Sequence, residues 1–209
     1  MKIAGLTDSL TDFQKEQFDK YKENLLDWNQ KINLTTITDD KEIWHKHFAD
    51  SLTLLPWLPK NPAKIIDVGS GAGFPGIPIK IMRPDISVTL LDSLRKRIFF
   101  LEDTVGILGL KDVECIHSRA EDLAKLEKYR NGYDICTARA VARLDKLCTW
   151  CLPFVKPGGL FLAMKGPNVH DEVKESLPVI EKLGGKIQEI QFIEIMPQLV
   201  HSVVVICYT

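Results

Sequence analysis

The feature that most restricts the possible folds is a glycine-rich segment that directly follows a short apolar run. The segment reads Asp67-Val68-Gly69-Ser70-Gly71-Ala72-Gly73-Phe74-Pro75-Gly76, and the run before it is Lys64 to Val68. Glycine lets a backbone turn tightly and approach a ligand with no Cβ in the way. Pro75 suits the first turn of a helix, where its missing amide would have no partner. The segment therefore predicts a strand, a ligand-binding loop and a helix in succession.

Short β-branched runs alternate with helical stretches along most of the chain. Such alternation predicts parallel strands joined by right-handed helical crossovers. The predicted strands are Lys64 to Val68, Ser87 to Leu91, Val113 to Ile116, Tyr133 to Ala138, Leu160 to Met164, Lys186 to Glu194 and His201 to Cys207. The predicted helices are Phe74 to Met82, Leu94 to Leu108, Glu121 to Glu127, Val141 to Leu152 and His170 to Leu183. With the last two strands paired antiparallel at an edge, this is a doubly wound α/β fold with a mostly parallel, seven-stranded sheet and helices on both faces.

Two helices are predicted before the first strand. Thr11 and Gln14 are placed for a capping box, and apolar residues then recur at helical spacing. A second helix is predicted from about Asp40 to Leu55, with prolines at its end. We predict that residues 1–60 form a helical extension packed on a domain that spans residues 61–209.

Composition limits where and how such a protein works. The 209 residues carry a net charge of −1, so any nucleic-acid site must be a local basic patch. Five cysteines without regular spacing argue against a disulfide framework and for a reducing compartment. The sequence shows no signal-peptide pattern, and no apolar run reaches the roughly 20 residues that span a bilayer. We therefore expect a cytoplasmic protein without membrane contact.

The glycine-rich segment fits two kinds of cofactor. Gly71 to Gly76 match the dinucleotide fingerprint, which would indicate an NAD-dependent oxidoreductase. Two features favour S-adenosylmethionine: Asp67 ends the strand just before the glycines, and these run GxGxG through Gly69, Gly71 and Gly73. A carboxylate close to the ligand suits an aminoacyl sulfonium, which carries cationic groups and no pyrophosphate. We predict an S-adenosylmethionine site that includes Asp67 and the three glycines.

Two later strand ends supply further candidates for this site. Asp92 follows the second predicted strand, and ligands of open α/β sheets bind at that edge. Its carboxylate can accept from both ribose hydroxyls, or it can cap the helix that begins near Leu94. Ala120 and Glu121 follow the third strand, where a backbone amide and a side chain can read an adenine. Glu121 also has the plainer interpretation of an acid in the first turn of a helix.

Absent motifs narrow the choice of methyl acceptor. An exocyclic base amine would need an Asn- or Asp-Pro-Pro-aromatic loop after the fourth strand, where this chain has Thr137-Ala138-Arg139-Ala140. Cytosine C5 would need an activated thiolate, and Cys136 is predicted to lie within the strand. Guanine N7 presents a lone pair and has no proton to lose, so positioning suffices without a general base. The lack of an obvious acid–base pair therefore favours guanine N7 over methyl acceptors that must lose a proton.

Several separate segments together resemble one protein family. They are Asp67 to Gly76, Asn33 to Thr35, His47 to Ser51, Ser118 to Glu121, Ala138 to Ala140 and Met164 to Gly166. In order and spacing, nearly the whole chain is similar to the bacterial 16S ribosomal RNA guanine-N7 methyltransferases known as RsmG or GidB. The resemblance implies a Rossmann-like class I methyltransferase fold with S-adenosylmethionine as cofactor. It also implies methyl transfer to a guanine in a decoding-region loop of small-subunit ribosomal RNA, either free or in the assembled 30S subunit.

The resemblance also assigns residues to the site. It implies that the cofactor is held by Gly69, Phe74, Asp92, Ala120 and Glu121, with Arg139 at the mouth of the cleft. The polar pocket that orients the RNA or the target base would comprise Asn33, His47, Arg119, Arg139 and Lys165. An arginine can donate two hydrogen bonds to a guanine or a phosphate, which a lysine cannot copy.

Other interpretations of the sequence stay open at this point. His45 and His47 with Cys148 and Cys151 suggest a metal site, but two cysteines on one amphipathic helix are more often core residues, and we predict no metal. The run Arg95 to Arg97 is either a solvated helix face or a contact to the RNA backbone. The alternative functions are an NAD-dependent oxidoreductase and a noncatalytic RNA-binding assembly factor with a vestigial cofactor fold. We expect a monomer.

Overall fold

A seven-stranded sheet lies at the centre of the computed structural model, which describes residues 10–139 and 142–209. The strands are β1 (Lys64–Val68), β2 (Ser87–Asp92), β3 (Val113–His117), β4 (Tyr133–Arg139), β5 (Val155–Lys165), β6 (Gly185–Met196) and β7 (Leu199–Tyr208). Their order is β3-β2-β1-β4-β5-β7-β6. The first five are parallel, and β7 is antiparallel to both β5 and β6. The predicted sheet is thus confirmed, with β7 inserted between β5 and the edge strand β6.

Helices cover both faces of the sheet. They are α1 (Asp12–Asn29), α2 (Asp40–Ile43), α3 (Asp50–Leu52), α4 (Gly76–Met82), α5 (Arg95–Ile107), α6 (Ala120–Leu123), α7 (Leu144–Cys151) and α8 (His170–Lys182). A π-helical segment, Trp44–Ala49, joins α2 to α3, so the three form one continuous helix. No helix among the described residues has both the length and the apolar character needed to cross a bilayer.

Several predicted boundaries were wrong. The helix predicted over Glu121 to Glu127 ends at Leu123, and the strand predicted from Leu160 begins at Val155. The helix predicted from Phe74 begins at Gly76. The helix predicted from Val141 begins at Leu144, because the backbone of its N-cap residue, Arg143, is extended. Ala140, Val141 and residues 1–9, at the start of the predicted extension, lie outside the described residues.

Alternate residues of the strands face two separate hydrophobic cores. On β1, Ile65 belongs to one cluster and Ile66 to the other. The cluster that contains Ile65 also contains Tyr21 of α1 and Phe48 of the π-helical segment. The N-terminal helices and one face of the sheet therefore share a core, and this packing places the helices beside the glycine-rich loop.

Hydrogen bonds close the start of α1 and connect this helix to the end of α5 and to the glycine-rich loop. The predicted capping box is confirmed, because the Gln14 amide donates to the Thr11 hydroxyl at 3.2 Å and the Thr11 amide donates to the Gln14 side chain at 3.0 Å. The Gln17 amide group donates to the Leu108 carbonyl at 2.9 Å, and the Tyr21 hydroxyl donates to the carbonyl of Ala72 within the loop. The first helix is thereby tied to the loop that it covers.

Candidate active site

The loop between β1 and α4 requires glycine where its backbone is left-handed. The φ angle is 71° at Gly69, 58° at Gly71 and 87° at Gly73. A Cβ at Gly73 would lie 2.5 Å from a methyl carbon of Ile77 and 2.7 Å from the Tyr21 hydroxyl. Gly73 therefore serves the packing of the loop under α1, whereas Gly69 and Gly71 line cavities at the ends of the strands.

Asp67 is fully buried behind this loop. One carboxylate oxygen accepts from the Gly76 amide at 3.1 Å, and the other accepts from the Thr137 hydroxyl at 3.0 Å. Burial raises the pKa of Asp67 to about 6, against the lowering effect of these hydrogen bonds. Asp67 is not among the described residues that line the cavities, so it supports the loop from behind and its carboxylate does not face the ligand space.

The amides of the loop are largely engaged within the protein. Those that donate to protein acceptors are the amides of Gly69, Ser70, Gly71, Gly73, Phe74 and Gly76. A dinucleotide site directs such amides at a pyrophosphate from the start of the following helix. Here the carboxylate of Asp67 occupies the first amide of α4, and its charge opposes a second anion. The loop therefore favours a ligand without phosphates.

A first cavity of about 300 Å³ lies at the carboxyl ends of β1, β2 and β3. Its lining is both apolar and polar, and includes Val68, Gly69, Leu91, Asp92, Arg119, Ala120 and Glu121. The structure thus brings together four predicted cofactor residues from three different strand ends. This mixture of aliphatic surface and hydrogen-bonding groups suits a nucleoside.

Asp92 lies between the first cavity and a second cavity of about 370 Å³. Its carboxylate accepts from the amides of Gly71 and Leu94, each at 2.9 Å, and lies 3.3 Å from the Arg97 guanidinium. The interpretation of Asp92 as the cap of the following helix was wrong, because Leu94 is the N-cap of α5 and no side chain caps that helix. Asp92 lines both cavities, which is where a carboxylate that accepts from the ribose hydroxyls of the cofactor has to lie.

Aromatic and basic side chains form one wall of the second cavity. The guanidinium carbon of Arg139 lies 4.7 Å from the centre of the Phe74 ring, and the His47 ring stacks on Phe74 with a centroid distance of 4.6 Å. The Nε2 atom of His47 lies 2.8 Å from the Thr35 hydroxyl. Burial, and next to it the charge of Arg139, lowers the pKa of His47 to about 4, so its imidazole is neutral at pH 7.

Arg139 also borders a third cavity of about 250 Å³, together with Asp50, Lys165 and His201. The Asp50 carboxylate accepts from Arg139 Nη1 at 2.9 Å, and its other oxygen contacts His201 Nδ1. The ammonium of Lys165 lies 2.8 Å from a carboxylate oxygen of Glu172. Arg139 is thus held by a buried carboxylate at the boundary between two cavities.

The structure brings together some residues of the predicted polar pocket and separates others. His47 and Arg139 meet at 3.4 Å, and Lys165 shares the third cavity with Arg139. Arg119 is exposed and lines the first cavity, on the nucleoside side of Asp92. Asn33 is exposed and is not among the described cavity-lining residues; the nearby Thr35 takes that place.

Sequence reasoning missed several residues that line the cavities, among them Thr35, Asp50, Trp150 and His201. Thr35 and Asp50 lie in segments that carry the family resemblance, so a signal existed for them. His201 and Trp150 had none, because only folding brings β7 and α7 to the cleft. Within the described part of the chain, no three His, Cys, Asp or Glu side chains are grouped as metal ligands. Cys148 and Cys151 are core residues, as predicted.

The first two cavities are neighbours, because Gly69, Asp92 and Ser93 line both. A ligand with a nucleoside at one end and a charged amino acid at the other fits this pair of spaces. The apolar and hydrogen-bonding surfaces of the first cavity suit the nucleoside. The polar lining of the second, with Thr35, His47 and Arg139, suits the amino-acid end and the approach of a methyl acceptor.

Comparisons with known proteins agree with this geometry. Residues 14–200 match the GidB family, described as rRNA small subunit methyltransferase G. A relative from Clostridium botulinum (strain Loch Maree / Type A3), named Ribosomal RNA small subunit methyltransferase G, is 51% identical over 197 residues, 93% of this chain and 82% of the relative. A SAM dependent methyltransferase from Aquifex aeolicus has a TM-score of 0.58 and 21% identity over 81% of this chain and 94% of its own. For M. jannaschii TYW2 in complex with AdoMet the TM-score is 0.60, with 17% identity over 82% of this chain and 77% of that chain.

Proposed function

The chain belongs to the family of rRNA small subunit methyltransferase G, and on that premise we propose that it methylates N7 of a guanine in a decoding-region loop of the RNA. That it is an S-adenosylmethionine-dependent methyltransferase of small-subunit ribosomal RNA follows from the family and the fold. The observation that carries the proposal of N7 is the position of Arg139, between the cofactor cavities and the third cavity, beside a neutral imidazole.

On this proposal the residues that line the two neighbouring cavities would hold the cofactor. Ala120 and Glu121 read the adenine, Asp92 accepts from the ribose hydroxyls, and the backbone at Gly69 and Gly71 makes room for the chain of the amino acid. Phe74 borders the amino-acid end. Asp67 and Gly73 contribute indirectly, because they stabilise the conformation of the loop and do not contact the cofactor. Bound S-adenosylmethionine supplies an electrophilic methyl group on its sulfonium.

Arg139 is proposed to orient the target guanine. A bidentate contact to both O6 and N7 would cover the lone pair that must receive the methyl group. Arg139 therefore donates to O6 or to the adjoining phosphate and leaves N7 open. The guanidinium is held by Asp50 at 2.9 Å and by the Lys46 carbonyl at 3.2 Å, so it is fixed before the base arrives. Positioning of this kind lowers a barrier by roughly 7–11 kcal/mol in well-oriented systems.

Methylation of N7 requires no general base, because no proton has to be removed from this atom. The polar groups in the wall of the second cavity are therefore needed only for binding and positioning. With a pKa of about 4, His47 stays uncharged at pH 7 and adds no repulsion toward a sulfonium. Lys165 and Arg119 are proposed to contact the RNA on either side of the base, and Asn33 to contact it at the surface. We propose that the enzyme acts as a monomer in the cytoplasm, on free ribosomal RNA or on the 30S subunit.

A methyl-transfer assay tests the proposal. The protein is incubated with S-adenosylmethionine and either deproteinised 16S RNA or 30S subunits, and the RNA is read by borohydride–aniline cleavage and mass spectrometry of nucleosides. We expect one 7-methylguanosine, lost in Arg139→Ala, while binding of S-adenosylhomocysteine stays within a few-fold of the wild type. Arg130→Ala, at an exposed arginine outside the three cavities, is the matched control. Methylation of another base atom would overturn the assignment of N7, and no transfer to either RNA would favour a noncatalytic factor.

A further inference from the structure

An aromatic side chain without a role in the preceding account lines the first cavity. Trp150 and Lys146, one helical turn apart on α7, border the space that Ala120 and Glu121 also line. The Lys146 ammonium lies 4.9 Å from the centre of the Trp150 ring. Trp150 is half-buried, and its buried part packs on the second hydrophobic cluster. The indole is therefore anchored on one side and borders the cavity on another.

We propose that the Trp150 indole packs against the adenine of S-adenosylmethionine and supplies much of the cofactor affinity. A base stacked on an aromatic side chain is a strong contact that does not distinguish one purine from another, because every base has a π-face. Glu121 then supplies selectivity for the adenine amino group. The inference rests on the cofactor and not on the identity of the methylated atom.

Other residues of the cleft cannot supply this contact. Val68 and Leu91 are aliphatic and almost fully buried in the sheet core. Phe74 lines the second cavity, and its ring already stacks with His47 and lies under Arg139. Among the described residues that line the first cavity, Trp150 is the only aromatic one.

Tryptophan fluorescence tests the contact directly, without turnover. The chain has four tryptophans, so matched single substitutions are compared. Titration of the wild type with S-adenosylhomocysteine should change the emission, and this change should vanish in Trp150→Phe. Trp57→Phe is the control: Trp57 donates to Glu189 on β6, at the edge of the sheet opposite to β3, and the change should persist. An emission change that persists in Trp150→Phe overturns the proposal.

Calorimetry separates affinity from selectivity. We expect Trp150→Leu to weaken binding of S-adenosylhomocysteine by about 10-fold or more, the order of a lost base–aromatic stack. The inosine counterpart of this ligand should lose the same factor, whereas Glu121→Gln should change the ratio between the two ligands. Thr149→Ala, at an exposed neighbour on α7, should bind as the wild type does.

Binding by Trp150→Leu within twofold of the wild type would also overturn the proposal. If Trp150→Leu does not fold, the fluorescence of Trp150→Phe decides, because phenylalanine keeps an apolar ring in the core. Either failure leaves the assignment of guanine N7 intact, since that assignment is read from the methylated RNA.

Discussion

Two residues near the cleft, the buried Asp67 behind the loop and His47 in the wall of the second cavity, have pKa values displaced in opposite directions. With a pKa of about 6, Asp67 binds a proton more readily in the folded chain than in the unfolded chain, where the value is 3.8. The stability that it contributes is therefore lost as pH rises toward 6. With a pKa of about 4 against 6.5 unfolded, His47 contributes stability that is lost as pH falls toward 4. Between about pH 4 and pH 6, the two residues therefore change the free energy of unfolding in opposite directions as the pH rises.

When one of these two residues is replaced, the pH dependence of the free energy of unfolding should show the contribution of the other alone. Between pH 4 and pH 6, we expect the stability of Asp67→Asn to rise with pH and that of His47→Gln to fall, while the wild type changes less than either. Urea unfolding at several pH values measures this. His45→Gln, two positions from His47, should follow the wild type. Parallel profiles in all four proteins would contradict the opposed shifts.

Asp50 should act on methyl transfer through Arg139. Asp50→Asn keeps the shape of the side chain but removes the charge that holds the guanidinium. Since a hydrogen bond to a charged group contributes roughly 1.5–3 kcal/mol, we expect kcat on ribosomal RNA to fall by about 10-fold or more. Binding of S-adenosylhomocysteine should stay within twofold, and Asp27→Asn, in an exposed ion pair, should be unchanged in both. Equal losses in cofactor binding and turnover would instead indicate a general structural role.

Some of these residues could be predicted from the sequence, and others could not. Asp92, Ala120 and Glu121 follow parallel strands, whose carboxyl ends must lie at one edge of a sheet, so position alone brought them to the site. The contact between Asp50 and His201 joins the second helix to the last strand. No local pattern encodes such a contact, because it depends on where β7 enters the sheet.

At the scale of elements, the π-helical segment shows what helical periodicity misses. The sequence predicted one regular helix over Asp40 to Leu55, whereas Trp44–Ala49 is wound with the wider turn and the helix ends at Leu52. A signal was present: the buried residues Ile43 and Phe48 are five positions apart, which is the interval of one π-helical hydrogen bond. Such segments often occur at functional sites, and this one carries His47.

The observed ends of the strands depend more on burial and on pairing with a neighbouring strand than on the β propensity of the residues. Strand β1 was predicted with its observed bounds, because an apolar run in a central parallel strand is unambiguous. The first half of β5 was missed, since Lys156-Pro157-Gly158-Gly159 reads as a turn. In the structure Val155 pairs with Tyr133 of β4, so pairing with a neighbour extends the strand through residues that disfavour it.

Two glycines in different elements should respond oppositely to alanine. Gly73→Ala should lower the free energy of unfolding by more than about 1 kcal/mol, because φ is 87° there and the added Cβ would meet Ile77 and Tyr21. Gly106 lies within α5, with nothing within 4 Å of an added Cβ, so Gly106→Ala should stabilise by roughly 0.5–1 kcal/mol. Thermal unfolding of both variants measures this, and a shift of the same sign in both would refute the difference.

At the scale of the whole molecule, we propose that the N-terminal helices and the sheet unfold together. Phe18, Tyr21 and Phe48 belong to the same hydrophobic cluster as Ile65 and Leu90 of the sheet. Residues 61–209 alone would expose that face of the core to water. On this proposal, residues 1–60 and residues 61–209 are successive parts of the chain and not two domains that are each stable alone.

Calorimetric unfolding tests this proposal. We expect one cooperative transition for the full chain, with equal calorimetric and van't Hoff enthalpies. The fragment 61–209 should show no comparable transition and should bind a hydrophobic dye. Two resolved transitions in the full chain, or native-like melting of the fragment, would instead support a separate methyltransferase domain.

The contact between Asp50 and His201 joins an early helix to the final strand. Because these two residues lie 151 positions apart, the wall around Arg139 is complete only once the helical extension and β7 have both folded onto the rest of the sheet. A partly folded chain that lacks either one leaves the guanidinium without its full set of partners.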